Sequence, residues 1–452
     1  MGLVLLGILA ALEIALAVWT CRKEKENKAW RKNRLIVRAV QLGVVGLAML
    51  LPYGQKWRLA PALVFLAVLL AIAALKLWRK RSKADGGKKK GGTVANCVLS
   101  ILLFALLLVP AFVFTGYNGL PVSGGYQIGE ASAILIDSSR TDPFEQDGSC
   151  REVPVHFYYP ADAAEGERFP LVVFSHGAFG YYQSNTSTYM ELASNGYVVA
   201  ALDHPHHAFF TQDTTGKTVI VDMDFINNAL NLNSNGDRQE QYALYTQWMA
   251  LRTADMSFAV DEIKAAAQAG ETDESWFLAG EDGEKIRVVL PMTDTSKIGL
   301  MGHSMGGATS VELGRERSDV SAVIDLDGTM LGEYLGVENG ELVVNDAPYT
   351  VPVLEFANWE SYRNNKEYRA RGFRYPNVEV IDHAADGFSV GLRDSEHMDF
   401  TDLPLLSPTL GNMLGSGERS TEEIMTVVNS LVLQFFNCYL KGEGVFTVQD
   451  VY

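Results

Sequence analysis

The sequence is short of cysteine everywhere, short of acid at one end and short of base at the other, and each shortage excludes something. Four cysteines in 452 residues cannot build a disulfide scaffold. Cys21 and Cys97 border apolar runs, where acylation is chemically allowed but otherwise unsupported. Cys150 and Cys438 fall in the later, acidic part, where an oxidising compartment permits a disulfide and two unpaired thiols fit equally well. Metal-site spacing is lacking as well. The three histidines of Asp203-His204-Pro205-His206-His207 have no Cys or carboxylate partner at zinc-type spacing, and Pro205 breaks any helical face. A pocket-lining loop is the expected role there.

Charge divides the chain. Residues 1–115 hold 4 Asp+Glu against 18 Lys+Arg, a balance of +14, and the rest holds 50 against 20, a balance of −30. So acidic a remainder offers neither nucleic acid nor an anionic lipid surface an electrostatic partner. Two different kinds of protein share one chain, and the length fits two or three units.

The basic part contains four apolar runs, residues 2–20, 35–53, 59–78 and 94–115. Each is near the ~20 residues that cross a bilayer core as a helix. Nothing basic precedes the first run and no small-residue cleavage pattern stands before Arg22, which argues against a cleaved leader. Stretches 22–34 and 79–90 carry seven Lys/Arg each, whereas 55–58 carries two and none follows Thr115 before Arg140. By the positive-inside rule the two basic loops are cytoplasmic, and the N-terminus and everything after Thr115 lie outside. The expected location is therefore the cell membrane, multi-pass, with an extracytoplasmic soluble part. Glu13 inside the first run needs a partner, and Arg38 in the second can reach it as an ion pair that fixes helix packing. Lys88-Lys89-Lys90 reads as a solvated loop that also touches anionic lipid.

Residues 116–152 read as a connector with at most an edge strand at 133–136. From 153 onward, apolar runs that suit strands (153–159, 169–174, 197–202, 297–301, 322–326, 351–356, 378–381) alternate with helical patterns, which implies a mostly parallel sheet. The longest helical pattern, 239–269, has Gly270 placed to stop it, and another, 421–440, ends the chain's regular structure. Residues 209–237, Asn-rich at 227–235, mark an irregular insertion of the kind that covers active sites.

Gly302-His303-Ser304-Met305-Gly306-Gly307 sits between a strand-like run and a helix-like run. That context is what a G-x-S-x-G nucleophile elbow requires, with Ser304 lifted off the sheet and glycines letting strand and helix approach. A serine needs a base, and the base a carboxylate. In this elbow's fold the acid and then the histidine follow the serine in the chain. His383 and His397 satisfy that order, and Asp325, Asp327 and Glu355 are the candidate acids. Ser175-His176-Gly177-Ala178-Phe179-Gly180 follows a buried strand; it suits an oxyanion loop and an ordinary strand-to-helix turn equally well.

These stretches, with Leu171-Val172-Val173-Phe174-Ser175-His176-Gly177, Tyr197-Val198-Val199-Ala200-Ala201, Ile324-Asp325-Leu326-Asp327 and His397-Met398-Asp399-Phe400-Thr401-Asp402, resemble the plasma-type platelet-activating-factor acetylhydrolases among the α/β-hydrolases. The resemblance spans about 154–440 and none of the apolar part. It implies an α/β-hydrolase fold, a mostly parallel sheet flanked by helices, here preceded by an all-α bundle of four transmembrane helices. The expected division is 1–115 transmembrane, 116–152 connector and 153–452 catalytic. The resemblance further implies Ser304 as nucleophile, Asp327 as acid, His397 as base, and the N–H groups of Ala178 and Met305 as oxyanion donors. Esters with short or oxidised acyl groups are the implied substrates, without metal or cofactor. The expected partners are a small-molecule or lipid ester and the membrane, not nucleic acid. Gly177-Ala178-Phe179-Gly180 departs from the family's tighter Gly-x-Gly form. A polyester or cutinase-like hydrolase shares the elbow type, and a membrane sensor or transporter with a non-catalytic hydrolase-fold binding domain would require a defective triad.

Overall fold

The computed structural model describes residues 2–22, 27–51, 56–78, 90–114, 117–232 and 236–452. Lys23 and Lys25 of the first basic stretch, residues 79–89 with Lys88 and Lys89, the expected span end at Thr115, and residues 233–235 of the Asn-rich stretch lie outside the described residues. The chain forms two compact units, Met1–Gly119 with Pro404–Met413, and Leu120–Leu403 with Leu414–Tyr452.

The first unit consists of helices α1 (Gly2–Arg22), α2 (Asn27–Leu50), α3 (Ala60–Trp78), α4 (Lys90–Leu107) and α5 (Val109–Val113). Stretches within α1 and α2, and one from Lys56 to Trp78, are long and apolar enough to cross a membrane. The fourth expected span is broken: α4 stops at Leu107 and α5 restarts one residue later, with Pro110, which has no N–H to continue the ladder, in its first turn. Leu5, Leu9, Val45, Leu66 and Phe104 form the unit's interior. Leu3, Leu47, Val64 and Leu102 are more than 60% exposed, so these helices are apolar outside as well as inside. Glu13 and Arg38 form the expected ion pair, buried, and the Gln41 amide donates to Glu13 Oε1 at 3.0 Å.

The second unit runs β1 (Ile128–Thr141), β2 (Cys150–Pro160), β3 (Phe169–Ser175), α6 (Thr186–Ser194), β4 (Val198–Leu202), the hairpin β5 (Phe210–Gln212) and β6 (Thr218–Ile220), α7 (Met223–Asn231), α8 (Arg238–Ala269), β7 (Trp276–Phe277), α9 (Asp282–Met292), β8 (Thr293–His303) and α10 (Met305–Glu316). It continues with β9 (Val320–Leu326), the hairpin β10 (Tyr334–Glu338) and β11 (Glu341–Val344), β12 (Val353–Ala357), α11 (Trp359–Arg371), α12 (Pro376–His383), β13 (Gly387–Gly391) and, after α13 (Leu403–Leu406) and α14 (Pro408–Leu414), whose residues 404–413 are counted with the first unit, α15 (Thr421–Phe436). The main sheet has order β13-β12-β9-β8-β3-β4-β2-β1-β7. Its run from β13 to β4 is parallel, and β2, β1 and β7 are antiparallel.

Alternation along β3 builds two cores. Leu171 and Val173 pack with Met256, Ile263 and Val311 on one face, while Val172 and Phe174 pack with Tyr189, Val428 and Phe435 on the other. A fully buried side chain of this kind contributes about 1.5–3 kcal/mol. α8 is capped at both ends: the Asp237 carboxylate accepts from Gln239 N, and Gly270 takes φ +74°.

Two expectations need correction. Residues 128–141 are a full strand, 14 residues long, lying between β2 and β7 and not at the sheet edge, so nearly half of the supposed connector belongs to the sheet. Residues 378–381 are helix, and the last strand is β13. Pro376 opens that helix at a position where its missing N–H costs nothing, and a four-residue apolar run cannot distinguish the two states. The stretch Thr421–Lys441 has the length and composition of a span, yet half of it is buried against the sheet, as α15 and the turn after it.

Candidate active site

At the end of β8 the chain turns so sharply that Ser304 takes φ +56° and ψ −123°. An L-residue pays for that conformation, and the surroundings hold it: Ser304 N donates to Leu326 O at 2.9 Å. A Cβ on Gly302 would lie 2.1 Å from the Gly306 carbonyl carbon, and one on Gly306 would lie 1.9 Å from Ser175 O. Both glycines are therefore required by the close passage of helix α10 over β3 and β8.

Asp327 leaves β9 at φ +57°, and its N–H donates to Phe356 O at 2.8 Å. Its carboxylate takes 2.7 Å and 2.8 Å bonds from the backbone N and side-chain amide of Asn358, and His397 Nδ1 lies 2.7 Å from Oδ2. Asn358 can do this because it caps α11: its Oδ1 accepts from Glu360 N and Ser361 N, which leaves the amide donors facing Asp327. The His397 ring is 41% exposed. Burial works against its charge, but the hydrogen bond to Asp327 and that carboxylate's charge outweigh it and raise its pKa above the usual value. With Nδ1 donating to Asp327, Nε2 is left as the acceptor.

Ser304, Asp327, His397, Ala178 and Met305 all line one cleft of about 590 Å³. Among the described residues no acceptor takes up the N–H of Ala178 or of Met305. Its walls are rich in aromatic rings, including Tyr245, Trp248, Tyr334, Tyr368 and Tyr375, with Arg238 and Arg374 among them. The other candidates are elsewhere. Asp325 is fully buried, accepts from Gly328 N at 2.9 Å, and is pushed well above the carboxylate range by desolvation and by Glu355. Glu355 bonds Asn365, Asn377 and Ser389. His383 ends α12 with an exposed ring and its Nδ1 on Glu379 O.

Asp203 to His207 do not line the cleft, contrary to expectation; His204, Pro205 and His207 belong to a buried network of hydrogen bonds, while His206 is half-buried beside Phe144 and Glu145. Asp255 on α8 accepts from Arg151 at 2.7 Å and 3.1 Å and from Arg140 at 3.0 Å, and meets His204 Nδ1 at 3.1 Å. His204 Nε2 then accepts from Ser175 Oγ at 2.9 Å. One turn earlier, Arg252 donates to His176 O at 2.5 Å, to Gly177 O at 3.3 Å and to His207 Nδ1 at 3.2 Å. These two carbonyls are the ones just before Ala178, so Arg252 sets the orientation of the Gly177–Ala178 peptide at the cleft. Desolvation pulls the Arg252 guanidinium down to about 9. Phe179 sits at φ +62° where a glycine would be unstrained; its N–H donates to His207 O at 3.2 Å and its ring packs on Phe225 of α7, 5.2 Å between centroids. Among the described residues no three His, Cys, Asp or Glu side chains converge as a metal site. All four cysteines are free thiols.

The residues after His397 shape its loop. Asp399 accepts from Glu396 N, Gly417 N and Thr421 Oγ1, and Asp402 accepts from Ser187 N and Oγ at the start of α6. His303, inside the elbow, meets His397 O through Nε2 at 3.2 Å. Sequence reasoning missed Asn358, Arg252, Asp255 and Arg151. For Arg252 and Asp255 a signal existed, since two charges fall within the apolar stripe of a long helix.

The sequence model of the family described as platelet-activating factor acetylhydrolase, isoform II, matches residues 146–448. The platelet-activating factor acetylhydrolase of Cavia porcellus is 24% identical over 294 residues, 61% of this chain and 58% of that protein. That of Gallus gallus is 24% identical, covering 61% and 63%, and that of Bos taurus 26%, covering 61% and 58%. The chain thus spans about three fifths of the length of these relatives. Among solved structures, a ferulic acid esterase from Streptomyces cinnamoneus superposes with TM-score 0.50 at 22% identity, over 72% of this chain and 93% of that one, which shows the α/β-hydrolase fold.

Proposed function

Since the chain belongs to the platelet-activating factor acetylhydrolase isoform II family, we propose that it is a membrane-anchored serine hydrolase of carboxylic esters, acting on short or oxidised acyl groups of lipids. The observation that carries the reading is the 2.7 Å His397–Asp327 bond in the same cleft as a serine held at a strained elbow. In the proposed mechanism Ser304 Oγ attacks the ester carbonyl carbon as His397 Nε2 takes its proton. Asp327, fixed by Asn358, keeps the imidazole in the required tautomer and stabilises the imidazolium. The negative oxygen of the tetrahedral intermediate is received by the N–H groups of Ala178 and Met305; one such donor is worth about 3–4 kcal/mol in kcat. The imidazolium then protonates the leaving alcohol, and a water molecule repeats the sequence on the acyl-enzyme, releasing the acid and free Ser304.

Three apolar helices of spanning length, with a fourth broken at Leu108, support anchoring in a membrane. The basic stretches 22–34 and 79–90 support a cytoplasmic position for those connections and an extracytoplasmic hydrolase unit. A fluorophosphonate probe should label Ser304, read by mass spectrometry of the modified peptide. An adduct elsewhere, or ester turnover retained in Ser304→Ala, would end the reading. Protease added to intact cells should cut the chain beyond residue 120, and full protection of that part would reverse the orientation.

A further inference from the structure

His303, the residue just before the nucleophile, has no part in the mechanism above, yet it touches both loops that serve Ser304. Alternation along β8 puts it on the same face as Met301, and Met301 shares one core with Phe400, the last residue of the turn that begins at His397. The His303 ring lies against that of His397, 4.6 Å between centroids with a tilt of 36°, and its Nε2 is 3.2 Å from His397 O. Its other nitrogen faces the loop that carries Ala178. A Cβ on Gly177 would come within 2.8 Å of His303 Nδ1, so ring and loop leave no space between them.

Only 4% of His303 is exposed, and desolvation together with the neighbouring His397 holds its pKa well below the usual value. The ring is therefore neutral and carries one N–H. Because a carbonyl can only accept, the partner at His397 O places that hydrogen on Nε2.

The base needs such a hold. His397 stands on a short turn and not on a strand, and 41% of its side chain is exposed. Its bond to Asp327 fixes Nδ1 but leaves the ring able to swing about that point, and a swing carries Nε2 away from Ser304 Oγ. The packed His303 ring blocks the swing on one side, while the bond to His397 O fixes the main chain from which the imidazole projects. Since His303 and Ser304 are consecutive, this anchor travels with the nucleophile.

We propose that His303 is a positioning residue for the base: its Nε2–H holds the His397 carbonyl and its ring backs the imidazole, so that the elbow itself sets the separation of Ser304 and His397. It acts through His397 and touches no reacting atom. The proposal rests on the Ser–Asp–His reading above, and the two fail differently. Fluorophosphonate labelling that survives Ser304→Ala or His397→Ala ends that reading, whereas labelling that needs both residues but is indifferent to His303 ends only this one.

The test measures ester kcat and KM, with the rate of fluorophosphonate labelling, in full-length variants that each alter one feature. His303→Gln keeps an N–H donor at the reach of Nε2, His303→Asn carries the same amide one methylene short, and His303→Phe keeps a ring without the N–H. In the Asn and Phe variants kcat and the labelling rate should fall roughly 10- to 100-fold with KM within about twofold, as expected when a buried carbonyl loses its donor and a base is misplaced. His303→Gln should stay within roughly fivefold of the unaltered protein. Equal losses in the Gln and Asn variants would reduce His303 to packing and overturn the proposal. A change confined to KM, or an unchanged kcat in His303→Asn, would overturn it too. If one of the two loss variants does not fold, the other is compared with His303→Gln and decides in the same way.

Discussion

Two regions of the hydrolase unit hold a histidine against an aspartate, and their surroundings give them opposite roles. At His204–Asp255, behind the sheet's catalytic end, both side chains are fully buried, and the carboxylate is also held by Arg151 and Arg140. Desolvation pulls His204 down to about 4, outweighing its bond to Asp255. It stays neutral, with both ring nitrogens occupied, and can only hold position. At His397–Asp327 the ring is partly exposed, among the described residues no arginine bonds the carboxylate, and the pKa of His397 moves up. One nitrogen remains available to the cleft. The same two residue types are suited to scaffold or, in the function proposed above, to proton transfer according to solvent access and the number of cations sharing the carboxylate.

The sharpest way to break this comparison is to remove each histidine's chemistry. His397→Ala should lower esterase activity by roughly four to six orders of magnitude while the melting temperature stays within a few degrees, read by ester turnover beside calorimetry. Retained turnover would move the base elsewhere. Asp255→Ala should act the other way round. It leaves Arg151 and Arg140 facing a buried void, costs about 3–5 kcal/mol, and should lower the melting temperature on the order of 10 °C. A melt like that of the unaltered protein would mean the network carries little stability.

Arg252 joins the two regions as a positioning residue. Arg252→Lys keeps a charge but cannot reach both carbonyls ahead of Ala178, so kcat should fall by roughly 10² with KM nearly unchanged, since the loss is felt at the oxyanion. A change in KM alone would make Arg252 a packing residue.

Acid separates the regions differently. His204 binds its proton at about 4 in the folded protein and near 6.5 when unfolded, so the unfolded chain holds more protons between those values. Stability from the network is full above about pH 6.5 and is lost as pH falls towards 4, and the melting temperature should follow. Activity should fall from a higher pH, reversibly, because protonated His397 cannot act as base and its pKa is raised. Coincident stability and activity curves would contradict two separate titrations. The smallest effect belongs to His383→Ala, on an exposed helix end: within about 0.5 kcal/mol in stability, and no change in turnover.

Much of this was legible in the residue order, for local reasons. The elbow at Ser304, the stop of α8 at Gly270 and the continuous burial of β3 follow from glycine placement and unbroken apolar runs. The geometry brings together the five site residues named from motif and resemblance, though their chemical roles await the variants above. Residues 378–381 misled because a short run of Val and Ile fits helix and strand alike. The length of β1 was hidden in a stretch whose polar residues alternate with small apolar ones. Thr421–Lys441 has the length and composition of a span as well as of the closing helix expected there, and its burial against the sheet shows the core helix.

By itself the amino-acid order determined the split into a basic apolar part and an acidic α/β part, the Glu13–Arg38 pairing, and the elbow, because hydropathy, charge and glycine act over a few residues or one helix length. Tertiary structure decided which of three acids meets His397, and that Asp203 to His207 would be scaffold and not cleft wall. It also decided that two charges on α8 would hold the loop carrying Ala178. Those outcomes depend on desolvation and on hydrogen-bond partners tens to hundreds of residues away, which become neighbours only when the sheet has formed.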